Sequence, residues 1–175
     1  MTGKFMITLR YLREIGACAE GRSAFEKAFP DGGEYQTVLD KCAEEGRMDF
    51  ASWLLHKVGP TDDVRTYEEQ INDENMSICF AGALIFKKGA RVKRIKAGLG
   101  IEAGEGIEAG LGIEAGEGYG VFAGLKIKLS NWSLYARVSA SCKPTNLISG
   151  YWVESENRND TNGTAKNGTC QSEGD

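Results

Sequence analysis

Over the first sixty residues the apolar positions recur at helical spacing, and after Met76 they recur at every second residue. Thr8 is placed to cap a short helix from Leu9 to about Ile15, with Leu9, Leu12 and Ile15 on one face. A second helix is predicted from about Ala17 to Phe29, using Cys18, Phe25 and Phe29 and ended by Pro30-Asp31-Gly32-Gly33. Tyr35 to Glu45 reads as a third helix, stopped by Gly46. Asp49 is placed to cap a fourth, Phe50 to Val58, closed by Gly59-Pro60. These four make a helical bundle over residues 1–60. Residues 61–75 are polar and read as a linker or one extra helix. Residues 76–153 read as a Gly-rich β region, with strands over Ser77 to Phe86, Tyr119 to Leu129, Trp132 to Ala140 and Leu147 to Val153. From Glu154 to Asp175 the chain is polar and low in complexity, the composition of a disordered tail.

Inside the β region a hexad, Ile-x-Ala-Gly-x-Gly, runs four times without a break from Ile95 to Gly118. Six is a multiple of two, so strand alternation survives every repeat and the isoleucines keep to one side. With turns at the glycine pairs, short strands stack about 4.8 Å apart as a β-solenoid. Ile95, Ile101, Ile107 and Ile113 then fill the interior and the alanines take the tight places. The fifth position alternates Leu99, Glu105, Leu111, Glu117. That favours a twelve-residue coil, with the leucines on one edge and Glu105 and Glu117 on the other. Antiparallel hairpins are the rival arrangement, and a polyglycine-type packing a weaker one. The fold class is therefore α+β: an N-terminal helical bundle followed by a Gly-rich β-solenoid or stacked β-sheet.

Charge adds a second pattern. Met76 to Gly100 carries six basic residues and no acid, Ile101 to Gly118 five glutamates and no base, and Tyr119 to Val153 four basic residues and no acid. Such blocks either steer a partner or neutralise one another within the fold. Glu102, Glu108 and Glu114 recur at one repeat position, and carboxylates stacked one rung apart repel by about 1 kcal/mol each in a water-like medium. Lys126, Lys128 or Arg137 on a neighbouring strand, or the basic groove of another macromolecule, would compensate them.

Candidate chemistry is sparse. The only histidine, His56, sits on the fourth helix, where a structural place is the expected one. A hexapeptide-repeat acyltransferase needs a histidine base at its solenoid, and the hexads contain none. No dinucleotide fingerprint, phosphate loop, nucleophile elbow or zinc-protease motif occurs. No catalytic residue, cofactor or metal site is expected. The five cysteines form no Cys-x-x-Cys pair, no signal peptide opens the chain and no run approaches a membrane span. Reduced thiols in the cytoplasm and no membrane contact are the expectation, with the glycosylation triplets at Asn131, Asn162 and Asn167 fortuitous. Direct nucleic-acid binding through Lys87 to Lys96 is not expected, since no aromatic platform lies beside it.

The N-terminal segment resembles a helical module of phage, prophage and bacterial repeat proteins. Its pattern is carried here by Ala17, Cys18, Glu20, Phe25, Phe29, Pro30, Gly32, Asp49, Phe50, Trp53, Leu54 and Leu55. In the prophage versions the hexad array follows, then a segment like GLKIKLSNWSLYARVSASCKPTNLISGYWVE. The resemblance implies a small accessory protein of a bacteriophage or mobile element. The function expected from it is non-enzymatic: an inhibitor, similar to anti-CRISPR proteins, of a bacterial defence complex in the host cytoplasm. Steric block or acidic mimicry of nucleic acid would do the work, with Glu102, Glu105, Glu108, Glu114 and Glu117 at the contact. The alternative is a phage assembly module that self-associates into homo-oligomers through the ends of its solenoid.

Overall fold

The computed structural model describes residues 5–154. A short antiparallel pair, β1 (Met6–Ile7) and β2 (Gly33–Glu34), ties the start of the chain to the helices. α1 (Leu9–Glu14) begins where Thr8 accepts the Tyr11 N–H at 3.1 Å. α2 (Ala19–Ala28) starts after Cys18, whose sulfur accepts the Gly21 N–H at 3.3 Å. α3 (Tyr35–Glu44) and α4 (Met48–Val58) follow, and Gly59, with φ at 92°, ends α4. Asp49 is not the cap of α4: the helix starts a turn-fraction earlier, because Met48 is buried against the bundle and draws the first residue in. Leu12, Phe25, Leu39, Ala51, Leu54 and Leu55 make the centre of this bundle.

From Pro60 to the last described residue, Glu154, the chain winds into five coils. β3 (Val64–Tyr67) and β4 (Ile71–Phe80) form the first, so residues 61–75 are neither a helix nor a linker but most of a coil. β5 (Ala83–Phe86) and β6 (Ala90–Ala97) form the second, β7 (Ile101–Ala103) and β8 (Ile107–Glu114) the third. β9 (Val121–Phe122), a 3-10 turn (Leu129–Asn131), α5 (Trp132–Tyr135) and β10 (Arg137–Ser139) form the fourth. β11 (Leu147–Ser149) and β12 (Tyr151–Trp152) close the fifth. Alternate strands build two parallel five-stranded sheets, β4-β6-β8-β10-β12 and β3-β5-β7-β9-β11. The hairpin arrangement is thereby excluded. The predicted strands over Tyr119–Leu129 and Trp132–Ala140 shrink to β9 and β10, because the chain leaves the sheet between them.

The coil is three hexads long, not two. Ile95 lies beside Ile113 and Lys96 beside Glu114, each 18 residues on, while Leu84–Ile101 and Ala90–Ile107 are 17 apart. A register shift between Val92 and Arg94 bends the longer strand into two sides, and the other sheet supplies the third. Each hexad is then one side and one corner of a triangular coil. The inward columns run Ile71–Ala90–Ile107–Val138, Ile78–Ile95–Ile113 and Leu84–Ile101–Val121–Leu147. Ile95, Ile101 and Ile107 are wholly buried and Ile113 nearly so, as the alternation predicted. Leu99, Glu105 and Leu111 therefore occupy three successive corners, and the two-edged leucine and glutamate rows do not form.

Neighbouring coils pass so closely at one corner that no side chain fits. A Cβ on Gly82, Gly98 or Gly116 would fall 1.9–2.0 Å from the carbonyl oxygen of Asp63, Ala81 or Gly98, respectively. The hexad glycines keep the coils in hydrogen-bonding range there, with Gly98 N–H on Phe80 O at 2.8 Å and Gly116 N–H on Leu99 O at 2.9 Å.

Candidate functional site

With three hexads per coil, glutamates six residues apart fall on different sides of the solenoid. Glu102 stands between Ile85 and Phe122, Glu108 between Arg91 and Ser139, and Glu114 beside Lys96. The like-charge ladder expected of a shorter coil is absent. Lys96 Nζ lies 2.6 Å from Glu114 and Arg91 Nε 3.8 Å from Glu108, and Glu105 faces across one rung Lys88, whose ammonium is held protonated first by Glu69 and to a smaller degree by Glu105. The compensating bases thus come from the preceding coil, and not from Lys126, Lys128 or Arg137. Glu102 and Glu117 are exposed and form no ion pair among the described residues. The five predicted contact residues are therefore spread around the third coil, with only Glu114 and Glu117 flanking a common cleft.

That cleft runs along the second half of β8. β10 pairs with β8 only at Ile107 and Glu108, so past Glu108 no strand partners β8 on its C-terminal side among the described residues. The segment 141–146 stands off instead, tied back by the Ser141 hydroxyl on Leu111 O. A groove of about 980 Å³ is left between them, lined among others by Arg94, Leu111, Glu114, Glu117, Lys143 and Asn146. Arg94 reaches it past Gly112, where a Cβ would meet nothing within 4 Å. Its Nε is buried without an acceptor among the described residues. Nothing in the sequence marks Arg94 beyond its place in the basic block.

A second groove, about 350 Å³ and largely apolar, lies in the helical bundle beneath Phe25, Phe50 and Trp53, with Cys18 and Cys42 in its wall. Burial first, and then the Glu45 charge, pushes the Cys42 thiol up to about 11, so it is a protonated, unreactive group at neutral pH. Burial likewise pushes Cys79 up to about 12. His56 is exposed on α4 and does not line this groove. Among the described residues no group of three or more His, Cys, Asp or Glu is placed to hold a metal. Cys142 is disulfide-bonded, which corrects the expectation of reduced thiols throughout.

Residues 1–59 match the family model of the YdhT N-terminal domain. This YdhT-like module covers about a third of the chain and stops at the glycine that ends α4. No curated protein and no solved structure matches the chain.

The YdhT-like module is built onto the first coil as its lid. Gln36 on α3 donates its amide N–H to Cys79 O at 3.0 Å and accepts the Ala81 N–H at 2.9 Å, taking the place of a strand on the free edge of β4. Asp40, one turn on, holds Arg65 bidentately at 2.8 and 2.7 Å. Arg65 occupies the column that Leu84, Ile101 and Val121 fill in later coils, and its guanidinium lies 4.5 Å over the Phe80 ring. The hydrogen bonds it donates to Asp40 hold its proton more tightly still. Cys79 and Ala81 complete the apolar contact with the bundle. Sequence reasoning missed Gln36, Asp40 and Arg65, because each is an ordinary polar residue until the two halves meet. At the other end β11 and β12 are edge strands. Among the described residues no helix is long and apolar enough to cross a membrane.

Proposed function

We propose that the chain is a phage-encoded, non-enzymatic binding protein that inhibits a bacterial defence complex in the host cytoplasm, by steric block or acidic-surface mimicry of nucleic acid. The observation that carries a binding role is the groove along the unpaired half of β8. There, strand main chain has no strand partner among the described residues and lies beside Arg94, with Glu114 and Glu117 on the rim. An extended segment of a partner adds to such an edge through its own main chain, and side-chain charge sets the choice of partner. Glu102 and Glu117, which have no base opposite them among the described residues, are the acidic contacts this reading favours over Glu105, Glu108 and Glu114. Affinity capture from bacterial lysate at low and moderate salt tests it. Recovery of one defence or nucleoprotein complex, reduced by Glu102→Gln with Glu117→Gln and by rising salt, is the expected result. Capture unchanged by those substitutions removes the acidic contact, and recovery of no such complex removes the reading.

The asymmetry of the two ends favours a second reading. α3 covers the edge of β4, whereas β11 and β12 end their sheets. A structural module that self-associates would join through those strands, and sedimentation over a concentration range separates the two. A monomer at every concentration removes self-association.

A further inference from the structure

Between β9 and β10 the chain leaves one corner of the solenoid and returns, over residues 124–136, without pairing to a strand. Both feet are fixed: Gly124 N–H is on Glu105 O and Lys126 N–H on Gly104 O, each at 2.8 Å, and Trp132 packs over Gly124. The outer surface is aliphatic to an unusual degree. Leu125, Leu134 and Tyr135 are 54%, 60% and 52% exposed, and Leu129, at the 3-10 turn, is 87% exposed. Lysines alternate with these side chains in Leu125-Lys126-Ile127-Lys128-Leu129, and Arg137 follows at the foot of β10.

The cations differ from those of the second coil. Lys88, Arg91 and Lys96 each pair with a carboxylate of a neighbouring coil, whereas Lys126, Lys128 and Arg137 pair with none among the described residues. No acidic residue occurs between Tyr119 and Val153 to supply one. Positive charge and aliphatic surface therefore coincide at one corner, with neither satisfied among the described residues.

We infer that this loop is a peripheral contact for an anionic lipid surface. A leucine flanked by lysines matches the profile of a bilayer boundary, with the aliphatic tip in the acyl margin and the ammonium groups among the phosphates. Trp132 and Tyr135 have the ring type that settles at headgroup depth. Charge complementarity selects the lipid over a protein partner, since the buried centres of protein interfaces are depleted in lysine while an anionic leaflet rewards each one. The expectation of no membrane contact rested on the lack of a spanning segment, which does not bear on a surface loop. One short apolar loop gives weak, reversible binding.

The test is co-sedimentation of the full chain with vesicles of phosphatidylcholine alone and of phosphatidylcholine with phosphatidylglycerol. Binding to the anionic vesicles only, weakened by salt, is expected. Leu129→Ser removes an almost fully exposed side chain and should weaken it about tenfold, and Lys128→Gln about fivefold. Lys93→Gln, an exposed lysine on the second coil, should leave it unchanged. Absence of binding to anionic vesicles, equal binding to both kinds, or equal loss in the Lys93 and Lys128 variants overturns the inference.

Discussion

Two chemically identical substitutions, Gly98→Ala and Gly112→Ala, should differ in effect by about 4 kcal/mol, worked as follows from the spacing of the coils. Neither glycine has a positive φ, so backbone strain does not distinguish them. At Gly98 the new methyl would sit 2.0 Å from Ala81 O, and the obstacle is main chain rather than a movable side chain. Relief needs the second coil to shift by about 1 Å from the first within a close-packed interior, which alone costs about 1–3 kcal/mol. The shift also strains the Gly98 N–H bond to Phe80 O and the Leu99 N–H bond to Gly82 O, at about 1 kcal/mol each. The total is about 3–5 kcal/mol, a large part of the 5–15 kcal/mol typical of a domain. At Gly112 the methyl meets nothing within 4 Å, and reduced freedom of the unfolded chain stabilises by about 0.4–1 kcal/mol. Urea unfolding followed by far-UV circular dichroism, with the m-value checked in both variants, measures the difference. Gly98→Ala within 1 kcal/mol of Gly112→Ala would refute the close approach of the coils.

Three further outcomes are expected. Gln36→Ala should cost about 1–3 kcal/mol by leaving Cys79 O and Ala81 N–H without a partner, and hydrogen exchange should speed up at Ala81 while the amides of β8 keep their protection. Lys96→Glu should cost about 1 kcal/mol, and adding Glu114→Lys should recover most of it, since the pair is half exposed; a cycle with no coupling means that the contact is ornamental. Cys79 is held at about 12 from an ordinary 9.0, and folding favours the neutral thiol, so its contribution is intact below pH 9. It is lost as pH rises toward 12, by about 1.4 kcal/mol per unit. Cys79→Ala should flatten the stability curve above pH 9 relative to the wild-type protein, and parallel curves contradict the assignment.

What the sequence discloses and what it hides follow from the range of the forces involved. Thr8 before an apolar helical stripe and Ile alternating with polar residues are local signals, and both produced the expected element. The number of hexads per coil is not local. Alternation fixes which side chains point inward along one side, but the return of the chain depends on how many sides close around three isoleucines. The Leu/Glu alternation at the fifth position has a period of twelve and favoured a shorter coil. At the open corners around Leu99, Glu105 and Leu111, however, either side chain is tolerated, so the period carries no constraint on closure. Trp132 to Ala140 misled in the same way. Its alternation is real, yet Trp132 packs on Gly124 and leaves Leu134 outside, giving a helical turn before β10. Gln36, Asp40 and Arg65 act only across the junction of bundle and solenoid, and no spacing within either segment connects them.

The clue to coil length lay in charge. The acidic block from Ile101 to Gly118 is eighteen residues long, the step from Ile95 to Ile113 between the second and third coils. Coil by coil the sign alternates: six acids and one base over residues 61–80, the basic block next, the glutamates third, and four bases without an acid up to Val153. Glu69 with Lys88, Glu74 with Arg91, Arg91 with Glu108 and Lys96 with Glu114 are all contacts between successive coils. Each is worth little in stability at the surface. Their value is in register. Near-identical hexads bury the same isoleucines after a slip by one repeat, so packing alone does not distinguish the native stacking from a displaced one. A slip by one hexad sets Lys96 beside Glu108 and Arg91 beside Glu102 and so keeps each base beside an acid, whereas a slip of a whole coil brings acid onto acid. The alternating blocks therefore penalise a whole-coil displacement. The fourth coil breaks the rule, because its bases meet no acid among the described residues, and it is there that the exposed leucines of the loop also lie.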